Sequence, residues 1–567
     1  MRGEIVAGVT LQEVKIDPRL AKQMKENPHL MKYVREIVKE VGVPKYYDTY
    51  ELDYGMKKWK NVNVIYPVGE SIFIHVYLPP KGTVSGYRKY IAIEPPRPDP
   101  KLEELVELKL ADVITESDVV EDMEEKKKVL LSKLEKIVRV VDSPVDYSKV
   151  KPSVKRIPIE RKMYEYLRYY LIRDKVGLGV LEPFIRDPWI EDITAKGVGY
   201  IYLVHKVFGP LETNIEFKTP EELDMFVIRL SERVGKPVSH ARPIVDATLP
   251  DGSRLNIVYG TDVSLNGSNF TIRKFSKTPI SITQLIAWNT MNEYMAAYIW
   301  MLLENSMSGF ICGETASGKT TTLNAISAFI PPTAKVVSIE DTAEVQLPHP
   351  NWVRELTRDT GSKESSVTMF DLLRAALRQR PNYIIVGEIR GPEAAIAFQA
   401  MQTGHPVLST FHAGSVERLI QRLTGDPINI PKTFMDNLNF VIIQSAVWRE
   451  GVMVRRVLSI NEILGYDPGA DSIIFIPVFN WDPVKDTFIF RGRGASYLLE
   501  EKIATRRGIS RLEMRKIYEE LEMRAEYLRE LVKRKIFNYY DVWKAIVKKH
   551  ELGLEEALKR LKKGRLF

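Results

Sequence analysis

The sequence contains a single cysteine, Cys312, among its 567 residues. One cysteine cannot form an internal disulfide, and a thiolate zinc site needs several, so the sequence excludes both. A chain this poor in cysteine is typical of an intracellular compartment, where thiols stay reduced. Cys312 ends an apolar run, so we expect it to pack in a core.

Long apolar runs are also missing. No stretch approaches the roughly 18 to 20 apolar residues that a membrane-spanning helix needs. The first residues, from Met1 to Thr10, lack the apolar region and cleavage site of a secretory leader. We therefore expect a cytoplasmic protein that reaches a membrane only through a partner or a surface face.

A strong excess of one charge is absent as well. The formal net charge of +8 is small for this length, and 28% charged with 44% hydrophobic residues is a globular composition. This mild positive bias leaves nucleic acid, an acidic membrane surface and acidic proteins open as partners. The length predicts roughly three or four folding units.

Hydrophobic periodicity divides the chain into successive regions. We predict an N-terminal helical segment over residues 1–60, an α+β domain over 61–274, a linker over 275–282, an α/β core over 283–496 and a helical C-terminal region over 497–567. Beyond the linker, apolar strands alternate with helices, which favours a largely parallel sheet covered on both faces. Helical spacing then continues to the end of the chain.

Local signals fix several element boundaries. Asp17-Pro18 and Asn27-Pro28 predict helix starts with an N-cap residue before a first-turn proline. Short β-like runs between residues 62 and 93 predict a meander. Pro250-Asp251-Gly252 predicts a hairpin turn, and the run from Ser276 to Pro279 predicts an interdomain hinge.

The most informative stretch is Gly313-Glu-Thr-Ala-Ser-Gly318-Lys319-Thr320. It follows the apolar run 310–312 and precedes a helix-like run 321–326, so its context is strand, glycine loop, helix. In this setting the pattern G-x-x-x-x-G-K-[ST] forms a phosphate cradle from backbone N–H groups and the positive end of the helix. Lys319 would reach the terminal phosphates and Thr320 would bind Mg²⁺. The sequence therefore predicts nucleoside triphosphate binding, whereas a plain helix-capping turn is the alternative.

We assign the phosphate and nucleotide contacts to the loop and the first helical turn. The candidate residues are Gly313, Glu314, Thr315, Ala316, Ser317, Gly318, Lys319, Thr320 and Thr321.

Two predicted buried strands end in acids, Glu340 and Glu388. Ligands of open α/β sheets bind at the carboxyl edge of the strands, where the glycine loop also lies. One acid can position or deprotonate the attacking water, and the other can hold the Mg²⁺ shell. The alternative is that both acids cap helices.

A third strand, from Pro406 to Phe411, is flanked by His405 and His412. His412 at the strand end could sense a γ-phosphate or a neighbouring subunit. A lone histidine is more often structural, so the residues alone favour that interpretation.

Taken together, the motifs resemble the secretion ATPase superfamily, the motors of type II secretion, type IV pili and archaeal surface filaments. The glycine loop, the box 339–342, the run from Leu377 to Arg390 and the run from Thr403 to Ala413 look like that family's Walker A, Asp box, Walker B and His box, in the family's order. The resemblance implies an ATPase with a RecA-like P-loop core. It implies that Glu340 acts on the water, that Glu388 acts on Mg²⁺, and that His405 or His412 senses the γ-phosphate.

The resemblance extends upstream into the arginine-bearing run from Arg242 to Arg254 and into Arg273. In the family, such arginines of the N-terminal domain approach the nucleotide of the domain below or of the adjacent subunit. We therefore expect Arg242, Arg254 and Arg273 to supply charge that stabilises phosphoryl transfer. Without the resemblance, Arg242 and Arg254 would be ordinary surface residues.

Within the family the chain is most similar to the archaeal branch, and to archaellum motor ATPases in particular. The runs 94–98, 171–175, 204–210 and 535–543 carry this likeness. Bacterial assembly ATPases often have a four-cysteine zinc module, which this chain cannot form. The likeness implies a ring of six copies, a polytopic membrane platform protein, accessory archaellum proteins of the cytoplasm, and a position at the cytoplasmic face of the membrane.

Other roles remain open at this point. The basic end of the chain, 559–565, is either solvated or in contact with acidic lipid or an acidic platform. A RecA-like nucleic-acid motor is a rival, although no basic and aromatic single-strand track is evident, so no nucleic acid is expected. A nucleotide-gated scaffold with little turnover is another. The filament served, an archaellum, an adhesive pilus or a secretion pseudopilus, is not determined by the residues.

Overall fold

A computed structural model describes residues 16–52, 54–69, 71–80, 86–115, 118, 120, 122–275, 278–358 and 364–566. Internal contacts divide the chain into two compact units, Met1–Phe275 and Ser276–Phe567. Within the described residues, the helices are all too short or too polar to cross a bilayer.

The first unit contains seven α-helices and twelve strands within its described residues. The helices are α1 (Pro18–Glu26), α2 (Pro28–Val41), α3 (Pro100–Val113), α4 (Met123–Ile137), α5 (Arg161–Lys175), α6 (Glu182–Arg186) and α7 (Pro220–Arg233). The strands are β1 (Lys45–Tyr46), β2 (Asn63–Pro67), β3 (Phe73–Tyr77), β4 (Arg88–Ile93), β5 (Val138–Val141), β6 (Ile157–Glu160), β7 (Ile190–Ala195), β8 (Gly199–His205), β9 (Gly209–Phe217), β10 (Ile244–Thr248), β11 (Arg254–Val258) and β12 (Asn269–Arg273).

This unit contains a ten-stranded sheet in the order β1-β2-β3-β4-β9-β8-β7-β12-β11-β10. The predicted meander is confirmed, because β2, β3 and β4 pair antiparallel in succession. The predicted hairpin is confirmed as well, with Thr248 opposite Arg254 next to the turn. Both N-terminal helices pack on this sheet, where Leu20 and Leu30 share a core cluster with Phe73.

The two predicted N-terminal helix starts are confirmed, and only one of the two cap residues acts as predicted. The Asp17 carboxylate accepts the backbone N–H of Arg19 at 2.8 Å. The Asn27 side chain makes no cap bond; its amide instead donates to the carbonyl of Gln23 at 3.1 Å, because it also closes the end of α1.

The second unit contains nine α-helices and nine strands within its described residues. The helices are α8 (Ile282–Ala287), α9 (Glu293–Glu304), α10 (Lys319–Ser327), α11 (Met369–Arg378), α12 (Glu393–Gln402), α13 (Val416–Thr424), α14 (Arg515–Lys533), α15 (Tyr539–Leu552) and α16 (Leu554–Lys562). The strands are β13 (Gly309–Cys312), β14 (Val336–Glu340), β15 (Trp352–Leu356), β16 (Tyr383–Ile389), β17 (Val407–Phe411), β18 (Phe440–Arg449), β19 (Val452–Asp467), β20 (Ser472–Asp482) and β21 (Thr487–Phe490).

These strands form a nine-stranded sheet in the order β15-β14-β16-β17-β13-β18-β19-β20-β21. The first six strands in this spatial order, β15, β14, β16, β17, β13 and β18, are parallel to one another. The last three, β19, β20 and β21, continue the sheet antiparallel. Helices cover both faces, which is why β13, β14 and β17 are buried along their whole length. The predicted largely parallel sheet is therefore present, and the unit is a mixed α/β fold.

The predicted C-terminal helices are confirmed, and they belong to the core of this unit. A π-helical turn, Leu498–Ala504, and α14 to α16 share one buried cluster with α8, α9 and α10. The hydroxyl of Tyr539 on α15 donates to the carbonyls of Asn324 at 3.1 Å and Gln346 at 3.2 Å. This end of the chain thus packs directly behind the helix that follows the glycine loop.

The predicted hinge from Ser276 to Pro279 includes residues 276 and 277, which lie outside the described residues. Before it, Lys274 Nζ donates to the carbonyl of Phe184 at 3.0 Å, within the first unit. After it, the Ser281 hydroxyl donates to the carbonyl of Phe537 at 2.7 Å, within the second unit. The chain is thus held by one unit up to residue 274 and by the other from residue 281.

Candidate functional site

The glycine loop joins the carboxyl end of β13 to the amino end of α10. Gly318 has φ +94° and caps the helix, so only glycine fits there without strain. A Cβ at Gly313 would lie 2.2 Å from the carbonyl oxygen of Gln444, which excludes any side chain. The predicted strand, loop and helix are confirmed, and both glycines have a steric reason.

The donors of the loop converge on one carbonyl oxygen. Glu314 O accepts the backbone N–H of Ser317 at 3.3 Å and Lys319 Nζ at 3.0 Å. A backbone N–H beside a lysine ammonium at a helix amino end is the donor set of an anion site. Thr320 and Thr321 lie half-buried in the first turn of α10. The loop therefore places N–H and ammonium donors where phosphate oxygens would be held.

Two acids at this edge act electrostatically on the Lys319 ammonium. Partial burial lowers the pKa of Lys319, while Glu388 and Glu344 oppose that fall. Glu388 was predicted to act at this edge, and its charge acts on the loop lysine. Glu344 is an additional acid near the same ammonium, which the sequence analysis did not single out.

Glu340, the last residue of β14, is 1% exposed. Its Oε1 accepts the backbone N–H groups of Glu344 at 2.7 Å and Val345 at 2.6 Å. Its Oε2 is buried without a hydrogen-bond partner among the described residues, and Arg354 Nε lies 3.5 Å away. Burial raises the pKa of Glu340 to about 7 against these two N–H bonds. One carboxylate oxygen is thus anchored while the other stays available as a proton acceptor.

Gly387 on the neighbouring strand β16 makes room for this carboxylate. A Cβ there would lie 3.2 Å from Glu340 Cγ. The pairing of β16 with β17 shifts between Val386 and Glu388, which marks a bulge at this glycine. The sequence pattern Gly387-Glu388 is therefore explained by packing against Glu340.

The Glu388 carboxylate is held by an arginine two residues further on. Arg390 Nε donates to Glu388 Oε2 at 2.8 Å, and a second nitrogen of the same guanidinium contacts the same oxygen. The Glu388 side chain is 26% exposed, so water can reach it. Arg390 is a charged partner of the site that the sequence analysis missed.

The structure separates the two candidate histidines. His412 follows β17, and its Nε2 lies 3.2 Å from the Thr315 hydroxyl in the loop. His405 precedes β17 and contacts the Thr403 hydroxyl at 3.2 Å. Since the strands are parallel and rise roughly 3.3 Å per residue, His405 lies about 20 Å away at the opposite edge. Of the two candidates, His412 is the one next to the glycine loop.

The three candidate arginines lie in the first unit. Arg254 and Arg273 are directly opposite each other on β11 and β12, so their side chains share one face. Arg242 lies at the other end of the β10–β11 hairpin, about 20 Å from Arg254 by strand rise, and is exposed. The structure therefore pairs Arg254 with Arg273 and does not bring Arg242 to them.

The residues present fit a nucleotide with Mg²⁺. The loop offers N–H and ammonium donors to phosphates, and the Thr320 hydroxyl and Glu388 carboxylate are the hard oxygen ligands that Mg²⁺ takes together with phosphate and water oxygens. Separately, the described residues contain no group of three or more His, Cys, Asp and Glu side chains that could hold a metal.

Two further residues, which the sequence motifs do not include, contact the loop from neighbouring strands. Gln444 on β18 is 2% exposed, and its Oε1 accepts the Thr322 hydroxyl at 2.6 Å. Arg455 Nε on β19 donates to the carbonyl of Ala316 at 3.3 Å. A polar residue directly after the apolar run 440–443 is the one signal that could have drawn attention to Gln444.

The fold and site define a mixed α/β protein whose parallel sheet carries a phosphate-binding type of glycine loop and two acids at its carboxyl edge. Residues 174–516 match the family model described as "Type II/IV secretion system protein". The chain belongs to this family.

Among similar proteins, MJ0900 of Methanocaldococcus jannaschii, described as an uncharacterized protein, is 49% identical over 552 residues, covering 95% of this chain and 98% of that protein. VirB11 of Agrobacterium fabrum is 31% identical over 268 residues, covering 42% of this chain and 76% of that protein. The solved structure of the Legionella pneumophila ATPase DotB covers 67% of this chain and 93% of that chain at 18% identity, with a TM-score of 0.38.

Proposed function

We propose that this protein hydrolyses ATP at the glycine loop of its second unit, in a P-loop core of the RecA-like class. The observation that carries the proposal is Glu340, whose Oε1 is fixed by two backbone N–H groups while Oε2 is buried without a hydrogen-bond partner among the described residues. A carboxylate held in this way, with a pKa near 7, suits a general base at neutral pH.

The residues of the loop would bind and orient the triphosphate. Lys319 and the Ser317 N–H would exchange the carbonyl of Glu314 for phosphate oxygens. The Thr320 hydroxyl and the Glu388 carboxylate would hold Mg²⁺, with Glu388 leaving Arg390 to do so. When bound, Mg²⁺ neutralises charge on the phosphates. Glu340 would take the proton of the attacking water, and His412 would respond to the γ-phosphate through Thr315.

Arginines of the first unit would complete the site. Arg254 and Arg273 face the same side of the sheet, where Arg273 also lies opposite Asp192 on β7. Arg242 would act from the other end of the hairpin. We propose that they supply charge to a nucleotide of the same chain or of a neighbouring copy, so that hydrolysis depends on closure. His405, at the far edge of the sheet, would not reach that γ-phosphate.

We further propose that the energy of hydrolysis drives a surface filament of the type IV pilus class, with the archaellum as the first candidate. Membership in the type II/IV secretion system family supports a motor of this kind. The motor would be a ring of six copies at the cytoplasmic face of the membrane, docked on a polytopic platform protein, with accessory archaellum proteins or acidic lipid as further contacts. An adhesive pilus or a secretion system is the alternative within the same proposal.

Two variants test the enzymatic part. Lys319→Ala should lose binding of ATP, because the loop loses its ammonium, whereas Glu340→Gln should bind ATP normally and hydrolyse none. Binding is measured by equilibrium titration with a fluorescent ATP analogue and Mg²⁺, and hydrolysis is measured by phosphate release from ATP and Mg²⁺. Unchanged binding by Lys319→Ala would show that the nucleotide site lies elsewhere.

The motor role is tested by what stimulates hydrolysis. We expect vesicles containing anionic lipid, or membranes bearing the platform protein, to raise turnover, and double-stranded or single-stranded DNA to leave it unchanged. Stimulation by DNA with a steep salt dependence would instead identify a nucleic-acid motor.

A further inference from the structure

The strand β18 runs directly beneath the glycine loop and touches it at both glycines. The carbonyl oxygen of Gln444 lies 2.2 Å from the position a Cβ would take at Gly313, and its side-chain Nε2 lies 2.9 Å from that position at Gly318. The Gln444 Oε1 accepts the hydroxyl of Thr322, one turn into α10, at 2.6 Å. One residue therefore supports the start of the loop, its end and the first turn of the helix.

The neighbouring strand β19 reaches the middle of the loop through Arg455. Its Nε donates to the carbonyl of Ala316 at 3.3 Å, and its Cγ lies 3.7 Å from the Cβ position of Gly318. Arg455 is directly opposite Ala446, two residues beyond Gln444. Alternate residues of a strand share a face, so Gln444 and Arg455 lie on the same side of the sheet, under the loop.

The contact of Arg455 with the Ala316 carbonyl also orients the N–H of Ser317, because both groups belong to one peptide. In a trans peptide the C=O and the following N–H point in opposite directions. Ala316 has φ +62°, in the left-handed region, so this peptide is held in an uncommon orientation. When Arg455 holds the Ala316 carbonyl outward, the N–H of Ser317 is turned inward, where it donates to Glu314 O beside Lys319 Nζ.

The pairing of the two strands puts these side chains in place. The register shifts between Ile443 and Gln444, which are paired with Ser459 and Val457, so Leu458 is the extra residue of a bulge. Bulges bend a strand and re-aim its side chains. Without this bulge, the face of β19 that follows would be reversed, and Arg455 would point away from the loop.

We propose that Gln444 and Arg455 are positioning residues of the nucleotide loop, which keep its N–H donors turned toward the phosphates. This inference rests on the proposed function, since it concerns the same loop. Neither residue is placed in contact with the nucleotide or the reacting atoms; both act through Ala316, Gly318 and Thr322.

The test compares Arg455→Met, Arg455→Lys and Gln444→Met with the wild-type chain. Methionine keeps most of the volume and removes the hydrogen bonds. Arg449→Met is the matched control, because Arg449 lies on the same hairpin and donates to the carbonyl of Pro483 without touching the loop. Each protein is measured for Tm, for the Kd of a fluorescent ATP analogue with Mg²⁺, and for hydrogen exchange of loop residues 314–320 without nucleotide.

We expect Arg455→Met to weaken nucleotide binding roughly ten-fold, the scale of one lost hydrogen bond to a charged group. Loop exchange should become faster, with a Tm close to that of the control. Arg455→Lys should recover part of both effects, because an ammonium can still donate to a carbonyl. Gln444→Met should also weaken binding and speed exchange at residues 318–322.

A purely structural role predicts the opposite pattern. If Arg455→Met and Gln444→Met lower Tm while nucleotide affinity and loop exchange match the control, the proposal is overturned. Failure of the proposed function gives a different result: a wild-type chain that binds no ATP overturns the nucleotide site itself. Loop exchange is measured without nucleotide, so it tests the positioning role even in that case.

Discussion

Burial of the Glu340 carboxylate has a measurable cost for the fold, which the variant Glu340→Gln should remove. The pKa of this carboxyl rises from 4.5 to about 7 because of burial. A raised pKa means that the folded state prefers the protonated form. The stabilising effect of the proton is complete below pH 4.5 and is lost as the pH rises through 7. Each unit of pKa difference corresponds to about 1.4 kcal/mol.

Glutamine has the same shape as glutamate and does not titrate, so Glu340→Gln should gain stability over the wild type as the pH rises. Between pH 5 and pH 8.5 the difference in free energy of unfolding should grow by about 2 to 3 kcal/mol. For a unit of this size that is a relative rise in Tm of roughly 5 to 10 °C. The same variant should not hydrolyse ATP, so lost activity would accompany a more stable fold at high pH.

The assay is thermal unfolding without nucleotide or Mg²⁺ at several pH values for wild type, Glu340→Gln and the control Glu417→Gln. Glu417 is exposed in the first turn of α13 and accounts for the general effect of losing one negative charge. A Tm difference between Glu340→Gln and wild type that stays constant with pH, or falls as the pH rises, would refute the account of Glu340.

Three further variants probe other parts of the account. Gly387→Ala should lower turnover roughly ten-fold or more with ATP affinity unchanged, because the added Cβ lies 3.2 Å from Glu340 Cγ and displaces it; full turnover would contradict the packing argument. Arg273→Ala should lower turnover and change Tm little, because Arg273 is exposed and lies between one like charge, Arg254, and one opposite charge, Asp192, on its neighbouring strands; a clear fall in Tm would mean that the arginine is structural. Arg524→Ala should lower the free energy of unfolding by about 1.5 to 3 kcal/mol in thermal or denaturant unfolding, because the buried Glu304 loses its 2.6 Å bond from Arg524 Nη2 and keeps Lys549 and His550 as charge partners; an unchanged free energy of unfolding would contradict this.

The glycine loop and its two flanking elements could be predicted from sequence because the determinants are local. An apolar strand, two glycines with fixed spacing and a helix start all lie within 20 residues of Gly313. The placement of Glu340 and Glu388 at the same edge could also be predicted from sequence, since each ends an apolar strand and parallel strands end at one edge.

The separation of His405 from His412 follows from the same rule. A residue before a parallel strand and a residue after it must lie at opposite edges of the sheet, and β17 stands between these two histidines. Their closeness in sequence therefore does not mean closeness in the site.

Contacts that depend on pairing between distant strands could not be predicted. The position of Arg254 opposite Arg273 requires the register of β11 with β12, and the contact of Arg455 with Ala316 requires the bulge between β18 and β19. Burial of Glu340 depends on β16 and on Gly387, so its raised pKa is a property of the assembled sheet.

The burial of the C-terminal helices was likewise not apparent. The pattern predicted helices from residue 497 onward, but an amphipathic face alone does not identify what it packs on. In the structure, Arg524 is 2% exposed beside Glu304 of α9, and Lys549 of α15 donates to the same carboxylate at 2.7 Å. These charges anchor the helices to the unit that carries the loop.

The central claim, that this chain hydrolyses ATP with the loop lysine and Glu340, is tested most directly by phosphate release from ATP and Mg²⁺ by the purified protein. Wild-type protein should release phosphate over many turnovers, Glu340→Gln should bind ATP and release essentially none, and Lys319→Ala should do neither. Normal phosphate release by either variant, or none by wild-type protein that binds ATP, would contradict the account.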